Sequence, residues 1–305
     1  MTDAAVTRIA EYLVEVELPA RNTELAYRTT HRVLPRRARV AIIHPDFVGV
    51  RRAELALMRE ACMLDALHHS GVPRVYECGV LEHRAWTATE YIEGLSIERA
   101  AAERPLSISQ ALAVVRDAAA ILAHAHQRGV VHRNITPKSI LQTPDRGFPI
   151  CLTGWGDAAA SDSTAPPVID RDAKFYRAPE LAADSPADTS ADVFALGAVV
   201  FEAATLVLPE PVQKFPGVPG AFHALLARML ARFPTERPTA AAVHADAARL
   251  AEVYTDGDRV EEVDVELIDI SRAAPTMPNL GWLPPDRMPA LQRSPRGTLR
   301  RRRPT

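Results

Sequence analysis

Two residue types are missing from the front of this 305-residue chain: no glycine stands before Gly49 and no lysine before Lys138. Backbone amides approach a phosphate closely only where side chains are absent, so a phosphate-wrapping loop is excluded from that stretch. Cysteine is scarce as well. Cys62, Cys78 and Cys151 are an odd number at wide spacing, which gives neither the pairs of a zinc site nor a disulfide framework, and all three read as reduced core residues. There is no long apolar run. The longest, "VFALGAVVFEAATLVL", contains Glu202 and falls short of the roughly 20 residues a membrane span needs. The N-terminus "MTDAAVTRIAEYLVEVEL" carries acids and no leader-type core, so a cytoplasmic location and no membrane span are expected. A formal charge of -2 makes nucleic acid an unsuitable partner for the body of the chain.

What is present is enough apolar material, 47% of residues, for one large or two small cores. From Tyr12 to about residue 92 the chain reads as short alternating strands ("YLVEVEL", "ARVAII", "VPRVYECG", "AWTATEYI") broken by one helical pattern. In that pattern Leu57, Ala61 with Cys62, Leu64 and Leu67 make one buried stripe. From Ser107 the period becomes helical: Leu112, Val115, Ala119 and Leu122 share a face, and Gly129 closes the helix. Helical patterns continue to about residue 250. "LPEPVQKFPGVPG" (residues 208–220) has four prolines and reads as a loop. Residues 251–305 carry an acidic alternating piece, "RVEEVDVELIDI", then a Pro- and Arg-rich stretch that cannot build a core, and read as a disordered tail.

Four short motifs in order give the chain a family likeness. "VVHRNITPKSIL" resembles the catalytic loop of bacterial Ser/Thr protein kinases, "LTGWG" stands where Asp-Phe-Gly belongs, "YRAPE" matches Ala-Pro-Glu, and "ADVFALGAVVFEAAT" matches the central helix. The resemblance implies an α+β fold of two lobes: an N-lobe (12–92) with an antiparallel sheet and one helix, and a larger helical C-lobe (93–250). In such a kinase ATP and magnesium would be the cofactors.

The chemistry-bearing positions of the motifs are altered. The catalytic-loop Asp, which accepts the substrate hydroxyl's proton, is Asn134, a change worth about 10²- to 10⁴-fold in rate. The phosphate-steadying Lys is Thr136, and the two magnesium ligands are Ser139 and Gly154. Asp157, three residues on, reads as a solvated loop acid rather than a substitute ligand. Pro19, Arg21 and Glu24 replace the three loop glycines. The phosphate-pairing Lys becomes Ala41, or Ile43 if the register slips by two. Arg39 takes the position of the small residue lining the adenine pocket, where it is expected to project into the cleft and pair with Glu60. Thr89, guarding the back of the pocket, leaves room for a small non-nucleotide ligand.

The architectural positions are kept. His132, Arg133 and Asp192 stand where the family ties the catalytic loop to the central helix, Trp155 replaces the Phe that packs on the helix of Glu60, and Glu180 with Arg237 match a buried ion pair. Losses fall on chemistry and retention on architecture. The expectation is therefore a pseudokinase: no intact catalytic set, no metal site, no cofactor, and a protein partner, including an active kinase. A weak kinase that binds ATP is the alternative. A second alternative is binding of nucleic acid or an anionic surface through Arg293, Arg296 and Arg300–Arg303. Between Arg21 and Glu60 nine arginines outnumber four acids, so the N-lobe is expected to present a basic face, with the acidic segment from Glu261 to Asp269 as one occupant. Peptide phosphorylation loses support too, because the Thr before "YRAPE" is Ala173 and the substrate-docking helix is missing from the proline-rich loop. Ser161, Ser163 and Thr164 remain targets for a partner kinase.

Overall fold

The structure is a computed structural model that describes residues 8–20, 23–161, 173–183, 188–208 and 220–254. Strands β1 (Arg8–Ile9), β2 (Tyr12–Leu18), β3 (Glu24–His31) and β4 (Arg37–Ile43) lead to helix α1 (Arg51–Leu67) and strands β5 (Val75–Leu81) and β6 (Arg84–Glu90). They form one antiparallel sheet in the order β1-β2-β3-β4-β6-β5. The alternation that betrays β2, β4 and β6 in the sequence is explained by the two faces of this sheet. Val40 and Ile42 pack on one side with Tyr12, Tyr27 and Trp86, whereas Ala41 and Ile43 pack on the other with Ala53 and Leu57 of α1. β3, "ELAYRTTH", is not evident from its sequence, because buried Glu24 and Thr29 break the apolar pattern; the Thr29 hydroxyl donates to Ala38 O at 3.0 Å.

The second half is helical. After β7 (Leu95–Ser96) come α2 (Ile97–Glu103), α3 (Ile108–Gln127), β8 (Val130–Val131), β9 (Ile140–Gln142), β10 (Ile150–Leu152) and β11 (Ala159–Ala160). Then follow α4 (Thr189–Thr205), α5 (Gly220–Met229) and α6 (Ala240–Val253). Ser107 caps α3 reciprocally with Gln110, and Gly129 at φ +70° ends that region, both as the residues dictate. α3 has the length and apolarity of a membrane span, but its Leu112, Val115, Ala119 and Leu122 are fully buried in a core shared with α4 and α6. Leu64 and Leu67 of α1 join that same core, so the helix is held by both lobes.

The cysteine reading needs correction: Cys151 is buried, but Cys62 and Cys78 are exposed, on the outer side of α1 and on the edge strand β5. Cys62 follows Ala61 in the helical stripe, and 100° of rotation per residue takes it out of the core. Most of the proline-rich loop, Arg21, Ser163, Thr164 and residues 255–305 lie outside the described residues.

Candidate functional site

Positioning begins with Asp192, near the start of α4. Its carboxylate accepts the backbone N–H of His132 at 2.7 Å and of Arg133 at 2.8 Å, and the Nε2–H of His126 at 2.9 Å. Those bonds pin a turn in which Arg133 has φ +65°, a conformation that a non-glycine residue holds only when its surroundings insist. Burial by itself would raise the Asp192 carboxyl, but the bond from His126, the charges of His126 and His132 and the backbone N–H outweigh it and hold it below 3.8. Farther along, Arg237 grips Glu180 with two bonds, at 2.6 and 2.8 Å.

The loop held in this way carries the polar floor. Asn134 Nδ2 donates to Asp157 Oδ2 at 2.9 Å, and Arg133 Nε donates to the Asp157 carbonyl at 2.6 Å. The Asn134 Oδ1 atom is buried and accepts no hydrogen bond. Ser139 is turned inward: its hydroxyl donates to Thr136 O at 2.9 Å and accepts Thr136 N–H at 3.0 Å. Its carbonyl takes the Thr153 hydroxyl at 3.1 Å. Gly154 adopts φ +82°, ψ +31°. Trp155 next to it is 1% exposed, packs against His132 with ring centroids 4.4 Å apart and planes inclined at 57°, and shares the core with Leu64. Among the described residues no group of three or more His, Cys, Asp or Glu side chains is placed to hold a metal ion.

The roof is the α1 side of β3 and β4. Register pairs Glu24 with Ile43, Ala26 with Ala41 and Arg28 with Arg39, so Glu24 and Arg39 occupy one face, flanking two alanines that are both fully buried. Arg39 runs along this face and its Nη2 donates to Glu24 Oε1 at 3.1 Å. Glu24 is nearly sealed from water, its side chain 2% exposed against 29% for Arg39. Thr89, opposite Arg39 on β6, donates to the Arg39 carbonyl at 3.4 Å. Pro19 is exposed in the turn after β2.

The family model described as the protein kinase domain matches residues 48–247, two thirds of the chain. The chain belongs to the protein kinase domain family. PknJ of Mycobacterium tuberculosis is 28% identical over 275 residues, covering 81% of this chain and 47% of PknJ. PrkC of Bacillus subtilis is 31% identical over 180 residues, covering 58% of this chain and 28% of PrkC. The chain thus spans half or less of the length of these two relatives. The kinase domain of M. tuberculosis PknI has the same fold, with a TM-score of 0.61 at 24% identity over 82% of this chain and 98% of that one.

This kinase domain departs in three places from what its sequence leads one to expect. Asp157 is not a solvated acid: it is 6% exposed and bonded to the residue at the catalytic position. Arg39 turns to Glu24 and not to Glu60, because the two strands share a face whereas Glu60 sits on a separate helix. The basic face is largely neutralised. Arg28, Arg32 and Arg36 pair with Glu15, Glu11 and Glu77 at 2.8, 3.1 and 2.9 Å, and Arg37 pairs with Glu93. All four acids lie outside the Arg21–Glu60 window: Glu11 in the turn before β2, Glu15 on β2, Glu77 on β5 and Glu93 in the loop after β6. The one sequence signal that pointed toward Asp157 was its place as the lone acid after a motif that has lost its own.

Three histidines contribute to the acid sensitivity of the domain. Burial pushes His69, His132 and His223 below 6.5, with the His124 and Arg128 charges adding to it at His69 and the Asp192 charge opposing it at His132. His132 fits the neutral ring, donating from Nε2 to Thr153 O at 3.0 Å and accepting Asn134 N–H on Nδ1 at 3.3 Å. Since the unfolded chain takes up these protons first, the contribution of these histidines is complete above about 6.5 and declines as pH falls below it. Thermal unfolding is expected to show Tm falling between about pH 7 and about pH 5.5; a flat profile there contradicts this assignment.

Proposed function

We propose that this protein is a pseudokinase, a kinase-shaped body that works by binding another protein and not by transferring phosphate. The observation that carries the reading is the Arg39–Glu24 pair beside buried Ala41. By family resemblance those three positions line the adenine pocket, cover the phosphates and pair with them. Here they are a guanidinium, a carboxylate and a methyl group. A buried carboxylate repels the triphosphate, and separating it from Arg39 to admit a nucleotide leaves a buried charge unpaired. The floor supports the same reading. The Ser139 hydroxyl is committed to Thr136, and Gly154 offers no anion to a metal that needs hard oxygen ligands. Retention of the Asp192 and Glu180–Arg237 contacts fits selection for shape, and an active kinase is the natural class of partner.

A nucleotide bound at one hundred times its Kd adds about 2.7 kcal/mol of stability. Heating the protein with millimolar ATP and magnesium is expected to leave Tm unmoved, and radiolabelled ATP is expected to give no labelled product. A raised Tm or incorporated label overturns the reading. A second reading, a feeble kinase, is favoured by one observation: a buried carboxylate, Asp157, lies 2.9 Å from the Asn134 amide. If label is incorporated and Asp157→Asn abolishes it while leaving Tm in place, that second reading replaces the first.

A further inference from the structure

Among the described arginines between residues 21 and 60, those outside the sheet's ion pairs stand together on α1. Arg51, Arg52 and Arg59 are exposed on α1 and form no ion pair with another described residue. At spacings of three and four residues, Arg52, Leu55, Arg59 and Cys62 fall in one stripe along the outer side of the helix. Leu55 is 50% exposed, and Val48 and Val50, leading into the helix, are 42% and 43% exposed. Glu54 stands beside this stripe but is engaged by the Gly49 N–H at 3.2 Å. Exposed Asp65 lies three residues beyond Cys62, so the positive charge belongs to the N-terminal part of the stripe, where three arginines and the exposed apolar side chains call for an occupant that is acidic and apolar at once.

We propose that the occupant is this chain's own segment from Glu261 to Ile270, docked on the outer stripe of α1. That segment lies beyond the described residues, and its sequence supplies what the stripe lacks. Glu261, Glu262, Asp264, Glu266 and Asp269 give it five acids and no base, while Val263, Val265 and Leu267 alternate with them. In an extended chain alternate side chains leave on opposite edges, so one edge meets arginines and the other covers Leu55 and the valines. The described body ends at Tyr254, which packs on the same core as Leu64 and Leu67 of α1, and six residues then precede Glu261. Tethering makes the encounter intramolecular, which raises the local concentration of the segment without any added contact.

Two native thiols read out two surfaces of the intact protein. Cys62 lies in the stripe, Cys78 lies on the edge strand β5, and Cys151 is buried. Alkylation of the full chain with a maleimide, resolved residue by residue by mass spectrometry, is compared with a full-length variant neutralised in the segment (E261Q, E262Q, D264N, E266Q, D269N). Three exposed ion pairs and the covered apolar side chains are expected to slow Cys62 about tenfold in the native chain. Neutralisation, Arg52→Glu with Arg59→Glu, or high salt is expected to remove that protection, with Cys78 unchanged throughout. An equal Cys62 rate in the native and neutralised chains overturns the proposal. So does protection of Cys78 in place of Cys62, which puts the segment on the sheet edge, or protection that fades on dilution, which makes the occupant a second copy.

Discussion

Arg237→Ala is expected to cost about 3 to 5 kcal/mol of folding stability, a large share of what a domain of this size has. The side chain of Arg237 is 0% exposed. Beyond its two bonds to Glu180 it donates to the carbonyls of Ala231 at 2.7 Å, Arg232 at 3.1 Å and Ser190 at 3.3 Å, and its guanidinium lies 4.8 Å from the centroid of Phe194. Truncation leaves a carboxylate and several carbonyls facing a cavity, so the loss includes their desolvation as well as the pair itself. Lysine brings a point charge without the planar fork, and Arg237→Lys is expected to recover less than half. Removing both partners spares the orphaned carboxylate, so Glu180→Ala with Arg237→Ala is expected to cost less than the sum of the singles. Urea unfolding followed by circular dichroism measures all four; an Arg237→Ala loss under about 1 kcal/mol would falsify the assignment of this pair as the anchor.

Asp192→Ala is expected to rival it, at about 3 to 5 kcal/mol, and to act on the loop that the proposed function concerns. The carboxylate is the shared acceptor for two consecutive backbone N–H groups, and without it both lose that acceptor, the His132 N–H in a buried position and the Arg133 N–H in a half-buried one. Hydrogen exchange should locate the damage: the amides of His132 and Arg133 are expected to lose protection beyond the global drop in stability. Asp192→Asn keeps one acceptor oxygen and should fall between. The pH dependence separates charge from shape. The folded carboxyl is held below 3.8, so its contribution is complete above that value and is lost as pH falls through the folded one. The native protein is therefore expected to lose its advantage over Asp192→Asn in strong acid, and an advantage that persists there means packing and not charge holds the turn.

A good deal of this was legible without coordinates. β2, β4 and β6 follow from alternation, α3 from its period and its Ser107 cap, and the Glu180–Arg237 contact from motif resemblance, because each depends on neighbours in sequence or on a strongly patterned segment. β3 did not announce itself, since a strand that buries a glutamate and a threonine loses its apolar rhythm. The exposure of Cys62 and Cys78 is likewise not written in the residue type. Composition gives the average fate of a residue type, and the rotation of a helix or the edge of a sheet decides the individual case.

The site divides along the same line. By itself the sequence determined which groups exist: an amide at Asn134, a hydroxyl at Ser139, a bare Gly154, an alanine at 41, and a chain with no earlier glycine or lysine to replace what is lost. Only the tertiary structure decided whom those groups meet. It joined Asp157 to Asn134 across 23 positions, Arg39 to Glu24 across 15, and gave the sheet arginines acids as far as 56 residues away. Charge interactions act through space over a few ångströms and are indifferent to separation along the chain, so counting arginines within a window predicted a basic sheet where folding had already matched them. Among the described residues of that window the matching leaves over three arginines on the outside of α1, because a helix turns its outer side away from the strands that supply the acids.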